Sequence, residues 1–403
     1  MRSHALILTL FSWFLVLWPP PLAAQDSPFF ASELVFPLEH WHNHSSSVVE
    51  LPNGDLFVAW FHGSGERSSD DVVIRGARWN KKTEKWTNPF LLADSPGFPD
   101  TNCVLYLDSK SRLWLFWPVI VANTWESALM KYRVSSDYLQ PDGPPRWERS
   151  DNIILIPRNI AERTQAVFGH LVGEPGIGAR ASEQIAKAND KFFSRMGWFT
   201  RNHPVELASG RMLVPMYSDG YSFSLLAVSD DGGETFYASE PIVGFGNIQP
   251  ALAVRRNGEI VAYMRDNGPP PKRIQTAVSK DDGLTWSTAV DTEIPNPGSS
   301  CQVRTLKNGL WLLVYNDTER GRHSLAVSLS DDEGKNWKWT RHVEHDAAEA
   351  QPSTFRYPSL WEAKDGTLHL SYSYSINRLP PDAARNSIKH AHFNLEWIKQ
   401  GDR

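Results

Sequence analysis

The feature that most constrains the fold is a hairpin unit that recurs along the chain. Each unit has an apolar segment, a short polar turn around a glycine, and a second segment of alternating apolar residues. The copies read LPNGDLFVAW, LASGRMLVPMY, RRNGEIVAYM, LKNGLWLLVY and EAKDGTLHLSY, and a sixth, LDSKSRLWLFW, has Ser111 in place of the glycine. A turn of the Asn-Gly or Asp-Gly class between alternating segments is the strongest short-range signal for a β-hairpin. The sequence therefore predicts six hairpins.

A second motif follows three of these hairpins at a constant distance. It reads SDDGGETF, SKDDGLTW and SDDEGKNW, beginning at Ser229, Ser279 and Ser330, so the copies start 50 and 51 residues apart. That interval holds about four short strands, which is the size of one propeller blade. Alternation with period two dominates the chain and helical periodicity is nearly absent. We predict an all-β protein, a six-bladed β-propeller.

The regular spacing of the hairpins is interrupted between Ser111 and Gly210. The segment GARASEQIAKANDKFFSRMGWF in this interval has helix-forming composition. We interpret roughly residues 160–200 as a partly helical loop insertion. In repeat folds such insertions lie on one face, often the binding face. A smaller loop, DNGPPPKR, contains three prolines that exclude regular structure, and we expect it at the rim of the same face.

The N-terminal segment has the composition of a secretory signal peptide. Arg2 precedes an apolar stretch, and small residues follow it at Leu22-Ala23-Ala24. We predict a signal peptide over residues 1–24, a propeller over residues 25–403, and a secreted or periplasmic protein with no membrane association after cleavage. An uncleaved N-terminal anchor is the alternative.

Composition excludes several kinds of partner. With 41 basic against 46 acidic residues the net charge is -5, so no nucleic acid is expected. Cys103 and Cys301, the two cysteines, lack metal-ligand spacing and are predicted to be buried free thiols. No metal and no cofactor are predicted. The 17 tryptophans are expected mainly to pack against sheets, with sugar-stacking walls as the alternative.

The repeated frame S-x-D-x-G-x-T-W, in register with six hairpins, resembles the Asp box of sialidases and of related bacterial neuraminidase repeat (BNR) proteins. The resemblance covers essentially the whole mature chain. It implies a sialidase-like propeller that cleaves a ketoside whose sugar carries a carboxylate. In that family three arginines hold the carboxylate through bidentate bonds. A tyrosine acts as nucleophile, a glutamate takes its proton, and an aspartate serves as acid/base.

Four positions match this family pattern. The resemblance implies that Asp71 is the acid/base, with Asp70 as the fallback, and that Tyr357 is the nucleophile. Arg265 and Arg322 would clamp the carboxylate. These positions also have purely structural interpretations. Asp71 could be a solvated loop acid, Tyr357 a strand-edge aromatic, and Arg265 part of a salt bridge at the rim.

Two positions depart from the pattern. His44 stands where the first arginine is expected, and Gln249 stands where the glutamate is expected. Glutamine cannot accept a proton as a base. Loss of one charged hydrogen bond weakens carboxylate binding by about 1.5–3 kcal/mol. A histidine, which is neutral or switchable, would suit a substrate whose acid group lies elsewhere.

Other polar residues flank these positions. Arg67, Arg201 and His203 are further candidates for substrate binding, and His42 forms a histidine pair with His44 at the site. Glu66 and Arg67, beside the acid loop, are candidates for orienting Asp71 or the ligand. The predicted function is an exo-acting glycoside hydrolase for a terminal acidic sugar of a glycan or glycoconjugate. A polysaccharide lyase that uses histidine and tyrosine, and a non-catalytic glycan-binding propeller, stay open as alternatives.

The acidic loop SKDDGLTWS is predicted to be a structural turn. Asp281 is expected to accept hydrogen bonds from its own turn, on the face opposite the ligand, while Trp286 packs between sheets. The frame holds too few oxygen ligands for a calcium ion, which takes six to eight.

Overall fold

The structure is a computed structural model that describes residues 27–347 and 350–402. Six antiparallel sheets of four or five strands follow one another along the chain. The first strands of neighbouring sheets contact each other around a central axis. The predicted six-bladed β-propeller is therefore confirmed. The predicted signal peptide, residues 1–24, lies outside the described residues.

Blades 1 to 3 are built from the N-terminal half of the chain. Blade 1 comprises His42–Glu50, Leu56–Gly63, Val73–Asn80, Lys85–Trp86 and Phe90–Ala93; blade 2 comprises Val104–Leu107, Leu113–Ile120, Ala128–Ser135 and Arg149–Ile153; blade 3 comprises Phe199–Thr200, Val205–Glu206, Met212–Ser218, Phe223–Ser229 and Tyr237–Ala238. The short 3-10 helix Trp125–Ser127 lies in the loop between the second and third strands of blade 2.

Blades 4 to 6 follow, and the N-terminal strand closes the ring. Blade 4 comprises Asn247–Val254, Ile260–Asp266, Arg273–Ser279 and Val290–Pro295; blade 5 comprises Gln302–Thr305, Trp311–Tyr315, Ser324–Ser330 and Trp339–His345; blade 6 comprises Thr354–Glu362, Leu368–Ser375, Asn386–Phe393 and, as its outer strand, Phe30–Leu34. Because Phe30–Leu34 pairs antiparallel with Asn386–Phe393, the two ends of the chain are joined in one sheet. Helix Leu395–Lys399 follows.

All six predicted hairpin turns join the first two main strands of a blade. The five turn glycines have φ between 84° and 89°, a conformation that residues with a Cβ rarely adopt. Ser111 takes the same left-handed region with φ of 58°. This explains why glycine recurs at these turns, and it places Ser111 as the equivalent of glycine in blade 2.

The three acidic loops lie at the same end of blades 3, 4 and 5, and in blade 4 this end is opposite the strand end that carries Arg265. Ser279, which begins one loop, pairs with Ile260, whereas Arg265 pairs with Ile248 at the other end of the same strands. Asp281 accepts hydrogen bonds from the Thr285 amide (2.9 Å) and from two hydroxyl groups. Trp286 is buried between blades. The predicted structural turn is confirmed.

The predicted helical insertion is present between blades 2 and 3. Its helices are Ile160–Phe168, Gly169–Leu171 (a 3-10 helix), Gly178–Asn189 and Lys191–Arg195. Lys187 Nζ donates to the Gly220 carbonyl (2.9 Å), and the Tyr221 hydroxyl donates to the Lys187 carbonyl (2.6 Å). These two hydrogen bonds attach the insertion to the blade 3 loop formed by residues 219–222. Prolines of the loop 266–273 line a cavity with Leu171 and Ile177 of the insertion, so the two irregular segments meet.

The core follows the composition-based expectations. Trp60, Trp114, Trp117 and Trp311 are fully buried by sheet packing. The thiols of Cys103 and Cys301 are free and buried, as predicted, and burial raises the pKa of each to about 12. Within residues 27–347 and 350–402, no helix has both the length and the apolar character needed to cross a membrane.

Blade 6 contains a column of three histidines, of which His369 and His390 are buried and His392 is partly buried. The His369 ring lies 4.3 Å from the His392 ring and 5.2 Å from the His390 ring, centroid to centroid. Burial lowers the pKa of all three, and that of His392 falls from 6.5 to about 4. In acid, the histidines of the unfolded chain therefore bind protons that the same histidines in the folded protein do not bind. Stability conferred by the neutral column is complete above about pH 6.5 and is lost as the pH falls towards 4.

We expect the melting temperature at pH 5.0 to be clearly lower than at pH 7.5. The His392 share is about 1–2 kcal/mol at pH 5, from a shift of this size. Thermal unfolding of His392→Gln at the two pH values should show a smaller difference than the natural sequence shows. Replacement of the exposed His170 by glutamine is the matched control. An unchanged pH dependence in His392→Gln would count against this assignment.

Candidate active site

A cavity of about 200 Å³ opens at the end of the propeller axis opposite the acidic turns. Its lining is His44, Glu66, Asn102, Trp125, Tyr217, Asp219, Gln249, Arg265, Arg322, Arg356 and Tyr357. Five of these are the residues that the family pattern selects around the carboxylate and the nucleophile: His44, Gln249, Arg265, Arg322 and Tyr357. The structure therefore brings these five together, while their individual roles stay predictions.

β-Bulges in the innermost strands create this arrangement. The pairing register shifts after His44, after Ile248 and after Arg356, in blades 1, 4 and 6. The residue that follows each shift has positive φ, including Gln249 (57°) and Tyr357 (56°). A bulge interrupts the alternation of side chains along a strand, so neighbouring residues can face the same side. Such strained positions persist where the surrounding structure fixes them, and they cluster at functional sites.

The phenolic oxygen of Tyr357 is held by two donors. Arg265 Nη1 donates to it at 2.9 Å, and Gln249 Nε2 donates to it at 3.1 Å. The same Gln249 nitrogen donates to the Tyr217 oxygen at 3.0 Å. Gln249 thus donates hydrogen bonds to both phenol oxygens, whereas a carboxylate at this position would accept hydrogen bonds from them. Two N–H groups directed at one oxygen are suited to stabilising negative charge on it.

The Tyr357 ring is enclosed by cations and one neutral imidazole. The guanidinium carbons of Arg201 and Arg322 lie 5.0 and 5.6 Å from the ring centroid. The His44 ring lies 4.2 Å away, and its Nδ1 is 2.7 Å from the Ser373 hydroxyl. Burial, reinforced by nearby arginines, holds the pKa of His44 well below its usual value, so the imidazole is neutral at neutral pH.

Three guanidinium groups line the cavity: those of Arg265, Arg322 and Arg356. Arg356 was not predicted from the sequence. It occupies the position before the bulge in blade 6 that His44 occupies in blade 1, so a third cation is supplied by another blade. Among the described residues, the Nε atoms of Arg265 and Arg356 have no hydrogen-bond partner. The sequence signal was a charged residue directly before the selected tyrosine.

Two carboxyl groups, Asp219 and Glu66, line the same cavity. Burial raises the pKa of Asp219 to about 6, and the charge of Arg265 opposes the rise. Glu66 Oε1 lies 3.7 Å from His42 Nε2. Asp219 was missed from the sequence because it sits in a short turn, SDGYS, that reads as an ordinary loop. Its position directly after the buried strand Met212–Ser218 was the available signal.

Asp71, the predicted acid/base, is exposed and is not part of the cavity lining. Its carboxylate accepts hydrogen bonds from the Ser64 hydroxyl (2.8 Å) and the Ser64 amide. Asp70, the alternative acid/base candidate, accepts a hydrogen bond from Asn123 Nδ2 (2.9 Å). The loop selected from the sequence does reach the cavity, but it does so through Glu66.

The remaining candidates lie around or away from the cavity. Arg201 is 1 % exposed, and its Nη2 donates to the carbonyls of Tyr357 (2.5 Å) and Pro358 (3.2 Å), so it supports the backbone beneath the phenol. Arg67 lies over the Trp125 ring, 5.4 Å from its centroid. His203 lines a different cavity, so the structure does not bring it together with Tyr357.

A propeller with this polar, arginine-rich cavity has the architecture of a sialidase-like protein. A family model described as BNR repeat-like domain matches residues 54–158 and 181–370, which is more than half of the chain. The protein belongs to this family of BNR repeat proteins. A search of curated proteins by sequence returned no match.

Solved structures share the fold at low sequence identity. A protein of unknown function from Dyadobacter fermentans is 16 % identical, with a TM-score of 0.65 over 90 % of this chain and 97 % of its own. The leech intramolecular trans-sialidase is 14 % identical, with a TM-score of 0.67 over 92 % and 71 %. The intramolecular trans-sialidase from Ruminococcus gnavus is 14 % identical, with a TM-score of 0.64 over 89 % and 95 %. These likenesses establish the fold.

Proposed function

We propose that this protein is an exo-acting glycoside hydrolase that releases a terminal acidic sugar from a glycan or glycoconjugate, with Tyr357 as the nucleophile. The observation that carries the proposal is the phenolic oxygen of Tyr357, which accepts hydrogen bonds from Arg265 and Gln249 in a cavity lined by three guanidinium groups. The fold of sialidases and trans-sialidases supports the same conclusion by analogy.

The cavity suits the acidic end of a glycan. Guanidinium groups bind carboxylates through paired, charge-assisted bonds, and three of them converge here. The cavity is small, about 200 Å³, and the buried side chain of Arg201 lies beneath Tyr357. A cavity of this size with a filled floor accommodates the end of a chain better than its middle, which favours exo action.

A tyrosine nucleophile is consistent with an acidic substrate. A carboxylate nucleophile would be repelled by the substrate's own carboxylate, whereas a phenol is neutral until it reacts. Tyr357 gives its phenolic proton to one cavity carboxylate and attacks the anomeric carbon as the glycosidic C–O bond breaks, and the departing oxygen takes a proton from the other cavity carboxyl. The donors Arg265 and Gln249 stabilise the negative charge that the phenolic oxygen carries before the new bond is complete. The glycosyl–tyrosine bond is then broken by water, and the anomeric configuration is retained.

Proton transfer needs a group other than Gln249, which cannot act as a base. The family pattern assigns the acid/base to Asp71, whereas the geometry offers Glu66 and Asp219 inside the cavity. An acid with a pKa near 6, such as Asp219, is suited to exchanging protons near neutral pH. We assign the acid/base role to the cavity carboxyls, with Glu66 first because it lies on the loop that the family uses.

The matched pair Glu66→Gln and Asp71→Asn tests this assignment. We expect Glu66→Gln to lower kcat by about 10²-fold or more, the usual contribution of general acid–base catalysis. Asp71→Asn should change kcat by less than about 10-fold, because its carboxylate serves the Ser64 turn. Steady-state kinetics on one activated substrate measures both. The reverse order of effects would return the acid/base role to Asp71.

A second candidate reaction is β-elimination next to a uronic acid carboxylate. The observation in its favour is the neutral His44 ring, 4.2 Å from the Tyr357 ring, because histidine and tyrosine could remove and donate the protons. The products differ: a lyase yields an unsaturated sugar that absorbs in the near ultraviolet, and hydrolysis does not.

The direct test of the proposed function is release of free acidic sugar. Fluorogenic sialosides and glucuronides, together with acidic oligosaccharides, should be supplied to the protein without residues 1–24. Release from at least one of them is the expected result. If none is cleaved while ligand binding persists, the non-catalytic alternative replaces the enzyme. We further propose export, on the composition of residues 1–24, which N-terminal sequencing of the exported chain tests by a start near Gln25.

A further inference from the structure

A second cavity, of about 400 Å³, lies at the other end of the propeller axis. Leu107, Val254 and Thr305 line it, and each is the last residue of an innermost strand. Gln249 and Tyr357 lie near the start of their innermost strands. The two cavities therefore open on opposite faces of the propeller.

The two cavities are separated by a hydrogen-bonded layer around His203. Its Nε2 lies 3.1 Å from the Ser47 hydroxyl, and Gln302 Nε2 lies 2.8 Å from its Nδ1. His203 is buried, and burial holds its pKa well below the usual value. The layer fills the axis, so the second cavity is a site of its own and not the lower part of the Tyr357 cavity.

The second cavity contains a cation, Arg304, that forms no direct ion pair, although the charge of Glu362 acts on it. The Arg304 guanidinium stacks on the Trp361 ring, 4.6 Å from its centroid. It makes no hydrogen bond and no ion pair with any residue in the ranges 27–347 and 350–402. Arg304 is partly exposed, and burial lowers the pKa of its guanidinium while the charge of Glu362 opposes the fall. A partly buried cation in a concave site attracts an anion.

Two carboxylates lie near this cation: Glu206 lines the cavity, and the charge of Glu362 acts on Arg304. Glu206 accepts hydrogen bonds from the Ser109 amide (3.0 Å) and the Ser109 hydroxyl. Glu362 accepts from the Lys307 amide at 2.9 and 3.2 Å. Both carboxylates therefore fix turns of the backbone. Neither carboxylate forms an ion pair with Arg304, which lines the cavity and is partly exposed.

The remaining lining offers partners for the rest of a ligand. Leu107, Leu252 and Val254 present apolar surface. The hydroxyl groups of Tyr106 and Thr305 also line the cavity, but they donate within the protein, to Glu206 and to the Val254 carbonyl. A volume of about 400 Å³ falls in the range of small-molecule sites and holds a ligand of the size of one sugar acid. The site therefore has a charged anchor and an apolar wall.

We propose that this second cavity binds a small organic oxyanion, whose carboxylate or phosphate pairs with Arg304 while its body lies against the apolar wall. The site is independent of Tyr357 chemistry, and it takes a free ligand rather than the end of a glycan chain held in the first cavity.

Arginine modification with phenylglyoxal, read by peptide mass spectrometry, tests the proposal on the natural sequence. Sodium glucuronate and inorganic phosphate serve as separate probes, with sodium chloride at matched ionic strength as the control. At least one probe should slow modification of Arg304 several-fold, and which one does so distinguishes a carboxylate from a phosphate ligand. If neither probe protects Arg304 more than chloride does, the proposal is wrong.

Calorimetric titration of variants provides the second measurement. Arg304→Gln should weaken binding of the protecting probe at least 10-fold, and Arg304→Lys should weaken it less. Arg322→Gln, which alters the Tyr357 cavity and does not line the second one, should leave the binding that protects Arg304 unchanged. Because the first cavity is itself proposed to bind acidic sugars, Arg304→Gln is also measured together with Arg322→Gln, and binding by that double variant at the affinity of Arg322→Gln alone would overturn the proposal. The protection experiment still decides if Arg304→Gln does not fold.

Discussion

Replacement of Tyr357 by phenylalanine should lower turnover of the acidic glycoside by at least about 10³-fold, as loss of a catalytic nucleophile does. The change removes one oxygen atom, which accepts from Arg265 and Gln249. The ring, which is 8 % exposed and lies among Arg201, Arg322 and His44, keeps its contacts. Steady-state kinetics and calorimetric binding of a non-hydrolysable acidic sugar should be measured on the same preparation.

Binding and turnover should separate in this variant. We expect the affinity for the acidic sugar to change by only a few-fold, because the guanidinium groups proposed to hold its carboxylate are intact. Tyr217→Phe is the matched control, since Tyr217 lines the same cavity and shares the Gln249 donor. Its effect on turnover should be much smaller. Equal losses in the two variants would mean that the phenols act as structure and that neither is the nucleophile.

The second large effect is expected for Arg265→Met. Arg265 donates to the Tyr357 oxygen at 2.9 Å and also lines the cavity as one of the cations proposed to bind the carboxylate. Removing one preorganised donor of this kind lowers kcat by about 10²–10³-fold. KM should rise as well, because the same side chain contributes to substrate binding. Full kinetics across substrate concentrations separates the two contributions.

Arg320→Met is the control for the loss of a positive charge. Arg320 is exposed and lies two residues from the cavity residue Arg322. It should behave like the natural sequence at physiological ionic strength, where surface charges are screened. Equal losses of turnover in Arg265→Met and Arg320→Met would mean that Arg265 acts only through its positive charge. Its hydrogen bond to Tyr357 would then have no role in turnover.

The blades could be predicted because their signals are local. Each hairpin needs a turn residue with positive φ between alternating segments, and each acidic turn binds its own backbone, as Asp281 does. The closing strand Phe30–Leu34 carries no such signal. It reads FASEL, with its central residues exposed, and its partner lies more than 350 residues away at Asn386–Phe393. Only the closed ring determines that pairing.

The site residues that follow the family pattern could be predicted from the sequence. Those whose side-chain direction depends on a β-bulge could not. In a regular strand Arg356 and Tyr357 would face opposite sides, but the bulge after Arg356 puts both in the cavity lining. Asp219 depends on where a short turn lies relative to Arg265, which no local pattern specifies. Glu66 and Asp71 share one loop, and only the fold determines which of them reaches the cavity.

A label on Tyr357 tests the central claim most directly. A sugar acid with a fluorine beside the anomeric carbon and a good leaving group slows breakdown of a glycosyl–enzyme bond more than its formation. After incubation, peptide mass spectrometry should find the sugar attached to the peptide that contains Tyr357, and no label in Tyr357→Phe. Attachment to a carboxylate such as Glu66, or hydrolysis of the natural substrate by Tyr357→Phe at an undiminished rate, would contradict the mechanism proposed for this site.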